Sequence, residues 1–262
     1  MSTIRFERRE SIGSIVLANP PYNRIDLQYA VSLREAVHEA SSSDIRVLVV
    51  RAEGPHFSLG GEVREWPGKD IHWFRTFVAE VGASYRAIES LRVPTVAAVQ
   101  GLAFGGGFEL ALACDFIVAA EDAVFRCVEV TTGMLPIAGG VQRLAERTGR
   151  ARASRWSMLG EPILGKEAGE LGIASHVVPA SRLIAETESL AQLLAVGPTR
   201  SYVATKTVLK AWSGGGVLAA DAVMPDVTME LFHTEDVQRG FINTAKAFDA
   251  DVEPPAMPFE GK

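Results

Sequence analysis

Apolar residues along the chain fall into short runs whose spacing switches between strand and helix periods. Ile4 and Phe6, then Ile12, Ile15 and Leu17, have strand character and are separated near Gly13, which predicts an opening hairpin. Asn19-Pro-Pro-Tyr-Asn23 breaks the pattern. Asp26 is placed to cap a helix carrying Leu27, Ala30, Val31, Leu33, Ala36 and Val37, ended by the cluster Ser41–Asp44. Ile45 to Val50 predicts a buried strand, and the glycine- and proline-rich stretch from Gly54 to Gly68 a loop. Asp70 caps a second helix running to about Leu91. After Pro94, Thr95–Val99 contains no charged residue and predicts a central parallel strand. A glycine turn then leads into a helix from Gly105 to Cys114 and a strand from Phe116 to Ala120.

This alternation of strand and helix implies an α/β fold with a parallel sheet. From Ala138 onward helical signals dominate, interrupted by a short strand at Ser175–Val178, and Thr234 opens a last helix. Asp249 to Lys262, with Pro254, Pro255 and Pro258, predicts an extended tail.

Composition narrows the functional classes. The 262 residues, 47% hydrophobic and 22% charged, suit one sizeable globular domain. The net charge of −6 argues against a nucleic-acid partner. Cys114 and Cys127 cannot build a disulfide framework, which fits a reducing compartment, and the five histidines show no ligand spacing, so no metal is expected. The charged, alternating start lacks a secretion signal and no apolar run is long enough to span a bilayer, so a cytoplasmic protein without membrane attachment is expected.

Two glutamates stand out by their surroundings. Glu109 is the only charged residue in the 22 from Val93 to Cys114, and Glu129 is the only one from Cys127 to Gln142, with Arg126 and Arg143 at the borders. An ionised carboxylate among apolar side chains is costly unless something stabilises it. Each acid could satisfy an arginine or backbone amides inside the fold. Alternatively, if both face one cavity, mutual repulsion raises one pKa and leaves an acid and a base at neutral pH.

Gly105-Gly106-Gly107 opens the same helix as Glu109, at about 1 kcal/mol per glycine relative to alanine in helix propensity. The first helix amides lack intrahelical acceptors, so the Gly106 N–H could bind an oxyanion within a turn of Glu109. For a bare triple glycine, close helix–strand packing is the favoured explanation. His56-Phe-Ser-Leu-Gly-Gly61 is a second loop of interest. Ser58 fails the nucleophile-elbow pattern, because His56 occupies the required glycine position, and reads as a turn residue. Neither a phosphate-cradling loop nor a dinucleotide fingerprint is present.

Several segments, taken in order, resemble the enoyl-CoA hydratase/isomerase (crotonase) superfamily from about residue 3 to 248. They are Asn19–Asn23, Phe57-Ser-Leu-Gly-Gly61, Gln100-Gly-Leu-Ala-Phe-Gly-Gly-Gly-Phe-Glu-Leu-Ala-Leu-Ala-Cys-Asp115, Gly133–Leu144, Gly160-Glu-Pro-Ile163, and Gly197-Pro198 leading to Lys206. The resemblance implies a superhelix of ββα turns over 1–197, a helical region at 198–250 used for assembly into trimers or hexamers, and a flexible tail at 251–262.

It further implies an acyl-CoA substrate, no cofactor beyond the CoA of that substrate, and an oxyanion hole formed by the amides of Gly61 and Gly106. Glu109 and Glu129 match the acids of hydratases, so hydration of a 2-enoyl-CoA is the expected activity. Enoyl-CoA isomerase, another acyl-CoA lyase or hydrolase, and a catalytically silent acyl-CoA-binding protein are the alternatives. Ser58, Leu59, Gly60, Trp66 and Pro136 fall along the expected substrate path.

Some residues depart from the family pattern. Leu59 and Glu62 replace alanine and aspartate, and Arg126-Cys-Val replaces Gly-Gln-Pro, which places an arginine where it could pair with either glutamate. The basic C-terminal segment is absent, and Arg24 is one candidate replacement for binding the CoA phosphates. The aromatics Trp66, Trp73, Phe74 and Phe77 border the expected acyl site, although residues 73, 77 and 81 share a helix face that suits ordinary packing.

Overall fold

The computed structural model describes residues 3–262; Met1 and Ser2, at the start of the expected core region, lie outside them. The opening hairpin is β1 (Ile4–Arg9) and β2 (Ile12–Leu17), paired antiparallel. Helix α1 (Leu27–Ser42) is capped by Asp26, which accepts from the Tyr29 amide at 2.6 Å. Strand β3 (Val47–Ala52) lies two residues beyond the predicted stretch. Asp70 caps α2 (Ile71–Glu89) as expected. Strands β4 (Thr95–Val99) and β6 (Phe116–Ala120) have the predicted bounds.

Three short strands escaped the sequence pattern: β5 (Leu102–Phe104), β7 (Val124–Arg126) and β8 (Ile163–Leu164). With two or three residues each, they are too short to show a period. The last strand, β9 (His176–Val178), falls within the predicted segment.

Six strands form one sheet in the order β1-β2-β3-β4-β6-β9, parallel apart from the hairpin, and β5-β7-β8 form a second small sheet. The chain therefore makes successive turns. In each of β4-β5 and β6-β7 the first strand joins the large sheet and the second the small one. Helix α3 (Gly106–Leu112) follows the first pair, and α4 (Gly140–Thr148) and α5 (Arg150–Leu159) follow the second.

Side-chain alternation divides the core. Val47 and Val49 of β3, with Val96 and Val118, pack against Leu183, Ala191, Leu194 and Ala195 around α7 (Leu183–Val196). The opposite residues, Leu48 and Val50, enter the main core beneath α1, α2 and α3. Helix α6 (Gly165–Glu170) closes this region.

The C-terminal helices differ in one respect from the expected uniform helical layer. Helix α8 (Thr199–Phe232) is broken at Gly215 and Gly216, the latter at φ +69°, because the Gly214-Gly-Gly216 run supplies no side chains to hold helical geometry. Lys206 ties this helix to the sheet, donating to Asp115 Oδ2 at 2.7 Å and to the Val93 carbonyl at 3.0 Å. Helix α9 (Glu235–Asp249) is capped by Thr234. No helix among the described residues is long and apolar enough to cross a membrane.

The tail is extended, yet its end is anchored rather than free. Asp236, buried at 4% exposure, accepts from the amides of Glu260 and Gly261 at 2.9 and 2.7 Å, and Arg46 donates to the Phe259 carbonyl at 2.7 Å. Asp236→Ala removes both acceptors. It should lower stability by about 1–3 kcal/mol and speed protease cleavage of the tail, as read by thermal unfolding and limited proteolysis. Unchanged cleavage would show that Asp236 does not hold the tail.

Candidate active site

The site is built where the β5–α3 turn meets two loops. Gly105 precedes α3 at φ +50° and ψ −125°, a conformation that favours glycine, and a Cβ there would lie 2.9 Å from Glu129 Oε1. That absence of a side chain lets Glu129 approach the first turn of α3. Glu109 stands one turn further along the same helix.

Glu109 is buried at 2% exposure, and its Oε1 accepts from the amides of Ala138 and Gly140, both at 2.8 Å. Its Oε2 is buried and has no partner. Burial raises the pKa of this carboxyl, and the amides of Gly140 and Ala138 and the Arg143 charge oppose that rise. The donating segment is itself braced by Arg143, which donates to the carbonyls of Ala138 and Gly139 at 3.1 and 3.2 Å and forms a two-pronged pair with Glu89 at 3.0 and 2.8 Å.

Glu129 begins a single 3-10 turn, Glu129–Thr132, closed by Gly133 at φ +75°. Its Oε2 is also buried without a partner. Desolvation first, and the charge of Glu109 second, push its pKa up to about 7. The two carboxyls are thus close enough for the charge of one to raise the pKa of the other. At neutral pH the amide-bound Glu109 is the better ionised partner, and Glu129 holds a proton part of the time.

Arg126 does not pair with either acid, contrary to one possibility left open by its position. Its side chain turns away and donates to the Gly160 carbonyl at 2.5 Å, and its own carbonyl accepts from the Gly105 amide at 2.9 Å. It serves the backbone of the turn and offers its charge to neither acid.

The second loop lies directly against α3. Gly60, at φ +75°, fits so closely that a Cβ would be 2.7 Å from the Phe104 carbonyl oxygen and 3.2 Å from the Gly106 nitrogen. Phe104 N–H donates to the Ser58 carbonyl at 2.9 Å and Ile25 N–H to the Gly60 carbonyl at 3.0 Å, which fixes the loop on β5. Among the described residues, neither the Gly61 nor the Gly106 N–H donates to a protein acceptor. Unpaired amides of this kind, one at a helix start and the other next in sequence to Gly60, which abuts that start, are suited to an anionic oxygen.

The other expected contact residues divide. Ser58 is fully buried; its hydroxyl donates to the Asn23 carbonyl at 2.7 Å and accepts from the Gly60 amide at 3.2 Å, so it shapes the loop and has no hydroxyl to offer a ligand. Leu59 is half-buried and Pro136 is buried against Gly140. Trp66 packs on Gly61 and meets Phe74 and Phe77 edge-on, while Trp73 stacks on Phe77 at 5.3 Å. Arg24 is half-buried over the Tyr22 ring and 3.9 Å from Glu62, which partly neutralises it as a phosphate ligand. No cluster of three His, Cys, Asp or Glu suited to a metal exists among the described residues.

Sequence reasoning missed Tyr85 and Arg147. Tyr85, fully buried on α2, donates to the Gly106 carbonyl at 2.8 Å. Arg147 donates to the Leu112 and Cys114 carbonyls at 3.3 and 2.6 Å and so secures the far end of α3. Tyr85 continues the helical spacing of Phe77, Val81 and Ile88, so nothing separates it from core in the sequence.

The raised pKa of Glu129 has a stability consequence. In the folded chain the proton is held more tightly than in the unfolded chain, so the associated stability is present below the unfolded value near 4.5 and is lost as pH rises through about 7. Glu129→Gln should therefore unfold at higher temperature than the parent at pH 8, by the equivalent of about 1–3 kcal/mol, and this advantage should shrink toward pH 5. A pH-independent difference in melting temperature would contradict this ionisation.

Comparison with known proteins identifies the family and the fold. Residues 7–250 match the family model described as enoyl-CoA hydratase/isomerase. The chain is 31% identical over 244 residues to the 2,3-dehydroadipyl-CoA hydratase of Escherichia coli, covering 92% of this chain and 94% of that protein. It is 34% identical over 216 residues to the carnitinyl-CoA dehydratase of Salmonella typhi, covering 80% and 81%. A solved enoyl-CoA hydratase subunit from Geobacillus kaustophilus superposes with a TM-score of 0.87 at 32% identity, covering 99% of this chain and 98% of that one. The turns of paired strands and helix, the helical C-terminal region and these likenesses together place the chain in the enoyl-CoA hydratase/isomerase family, with its crotonase fold.

Proposed function

We propose that the protein hydrates a 2-enoyl-CoA thioester. The observation that carries this reading is the pair of buried carboxyls, each with one unpartnered oxygen, beside two amides that lack acceptors.

In the proposed reaction the thioester oxygen accepts from the Gly61 and Gly106 N–H groups. A water molecule sits between the two free carboxyl oxygens. Glu109 takes a proton from it as the hydroxyl oxygen bonds to the β-carbon. The π electrons of the double bond move onto the thioester oxygen to give an enolate, which each amide stabilises by about 3 kcal/mol. Glu129 then delivers its proton to the α-carbon on the same face, so the elements of water add syn. Return of a proton from Glu109 to Glu129, directly or through solvent, restores the starting state. The roles follow the electrostatics: the acid held by two amides is the base, and the acid with a pKa of about 7 is the donor.

Trp212, Leu218 and Phe241 are large apolar residues exposed on α8 and α9. Their exposure supports the reading of this region as an assembly surface, in a homotrimer or homohexamer.

Glu109→Gln and Glu129→Gln should each reduce turnover at least 100-fold with little change in the folded structure, measured by loss of the conjugated thioester absorbance. Near-normal rates in either variant would remove that residue from the mechanism. Binding without turnover by the parent protein would favour a silent acyl-CoA-binding protein, and double-bond migration without water uptake an isomerase.

A further inference from the structure

We propose that Tyr85 is a positioning residue for the Gly106 amide, acting through its hydrogen bond to the Gly106 carbonyl. This rests on the acyl-thioester reading of the site. Gly106 is the first residue of α3, and the preceding Gly105 has no side chain to cap the helix. Three consecutive glycines impose little restraint of their own on backbone angles. Within the segment, the Glu109 N–H donates to the Gly105 carbonyl at 3.0 Å and so restrains the peptide that carries the Gly106 N–H; further restraint on the Gly106 α-carbon and carbonyl comes from outside.

Two contacts supply it. The Gly106 α-carbon faces Ile25 and the Tyr85 hydroxyl, which would lie 2.8 and 3.5 Å from a Cβ at that position. The Tyr85 hydroxyl also donates to the Gly106 carbonyl at 2.8 Å. Tyr85 is fully buried at the end of a row of core side chains on α2, so its oxygen is held in place by packing. Burial, with the neighbouring Tyr29, Glu109 and Glu129, keeps the phenol well above its usual pKa, so it remains a donor at every working pH.

Tyr85 reaches no substrate atom in this account. It fixes the residue whose N–H meets the growing charge, and because hydrogen bonds weaken as they bend, a tilt of that residue costs transition-state stabilisation more than ground-state binding.

The test compares the parent with Tyr85→Phe, which removes one oxygen and keeps the ring. The probe is a dialkylaminocinnamoyl-CoA, a chromophoric thioester whose absorption moves to the red when its carbonyl is polarised. In Tyr85→Phe the red shift on binding should fall by about half and kcat for a short 2-enoyl-CoA by about 10-fold, while KM and probe affinity change less than about 2-fold. Ile88→Ala, a packing control on the same helix at a fully buried core residue, should lower the melting temperature and leave the red shift intact.

Replacement of Tyr85 by 3-fluorotyrosine retains the bond with a stronger donor and should preserve or increase the shift, which gives a readout even if the phenylalanine variant fails to fold. An unchanged red shift and kcat in folded Tyr85→Phe, an equal loss of shift in Ile88→Ala, or a reduced shift with fluorotyrosine would each overturn the proposal. A parent protein that polarises the probe but does not hydrate enoyl thioesters would sink the hydratase reading and leave the Tyr85 inference standing. A parent that binds the probe without any red shift would sink both.

Discussion

Glu109 sets the central energetic constraint of this molecule. Its helix is apolar on every face and buried in the main core, where an unpaired carboxylate would be strongly disfavoured. The solution is local and made of backbone: two amides, from Ala138 and Gly140, point at one carboxylate oxygen. Those amides belong to the end of a loop and to the first residue of α4, so this junction must be fixed independently. Arg143 does this by gripping the loop carbonyls from within and Glu89 from outside. The acid is thus held without an arginine directly on it, and its second oxygen remains available for chemistry.

The same economy extends to Glu129 and the glycine turns. Gly105 admits Glu129 to the start of α3, and Gly60 admits the neighbouring loop to the same place. With Arg126 turned to Gly160, no basic side chain neutralises Glu129, and the charge of Glu109 raises its pKa further. Proximity of two like charges in an apolar region is a stability cost, and it is also the property that separates a proton donor from a base at neutral pH.

How much of this was readable in the chain depends on how local each interaction is. Asp26, Asp70 and Thr234 announced their helices because a cap and its amide lie within three residues. Strands β4 and β6 were legible from uninterrupted apolar runs, whereas β5, β7 and β8 were too brief to show a pattern. Glu109 and Glu129 stood out as solitary charges. The partner of Arg126 is 34 residues away in the sequence, so its proximity to the glutamates in the chain was a poor guide to its contact. Tyr85 was hidden for a different reason: a buried hydroxyl on a regular apolar helix face leaves no mark in a hydrophobic pattern.

The proposed convergence of the Gly61 and Gly106 amides on one substrate atom, with both carboxyls alongside, is the point on which the account stands. A crystal structure of the protein with a bound saturated acyl-CoA tests it directly. The account predicts the thioester oxygen within about 3 Å of both nitrogens, and the α- and β-carbons facing Glu129 and Glu109. A thioester bound elsewhere, or with its oxygen directed away from those amides, would contradict it.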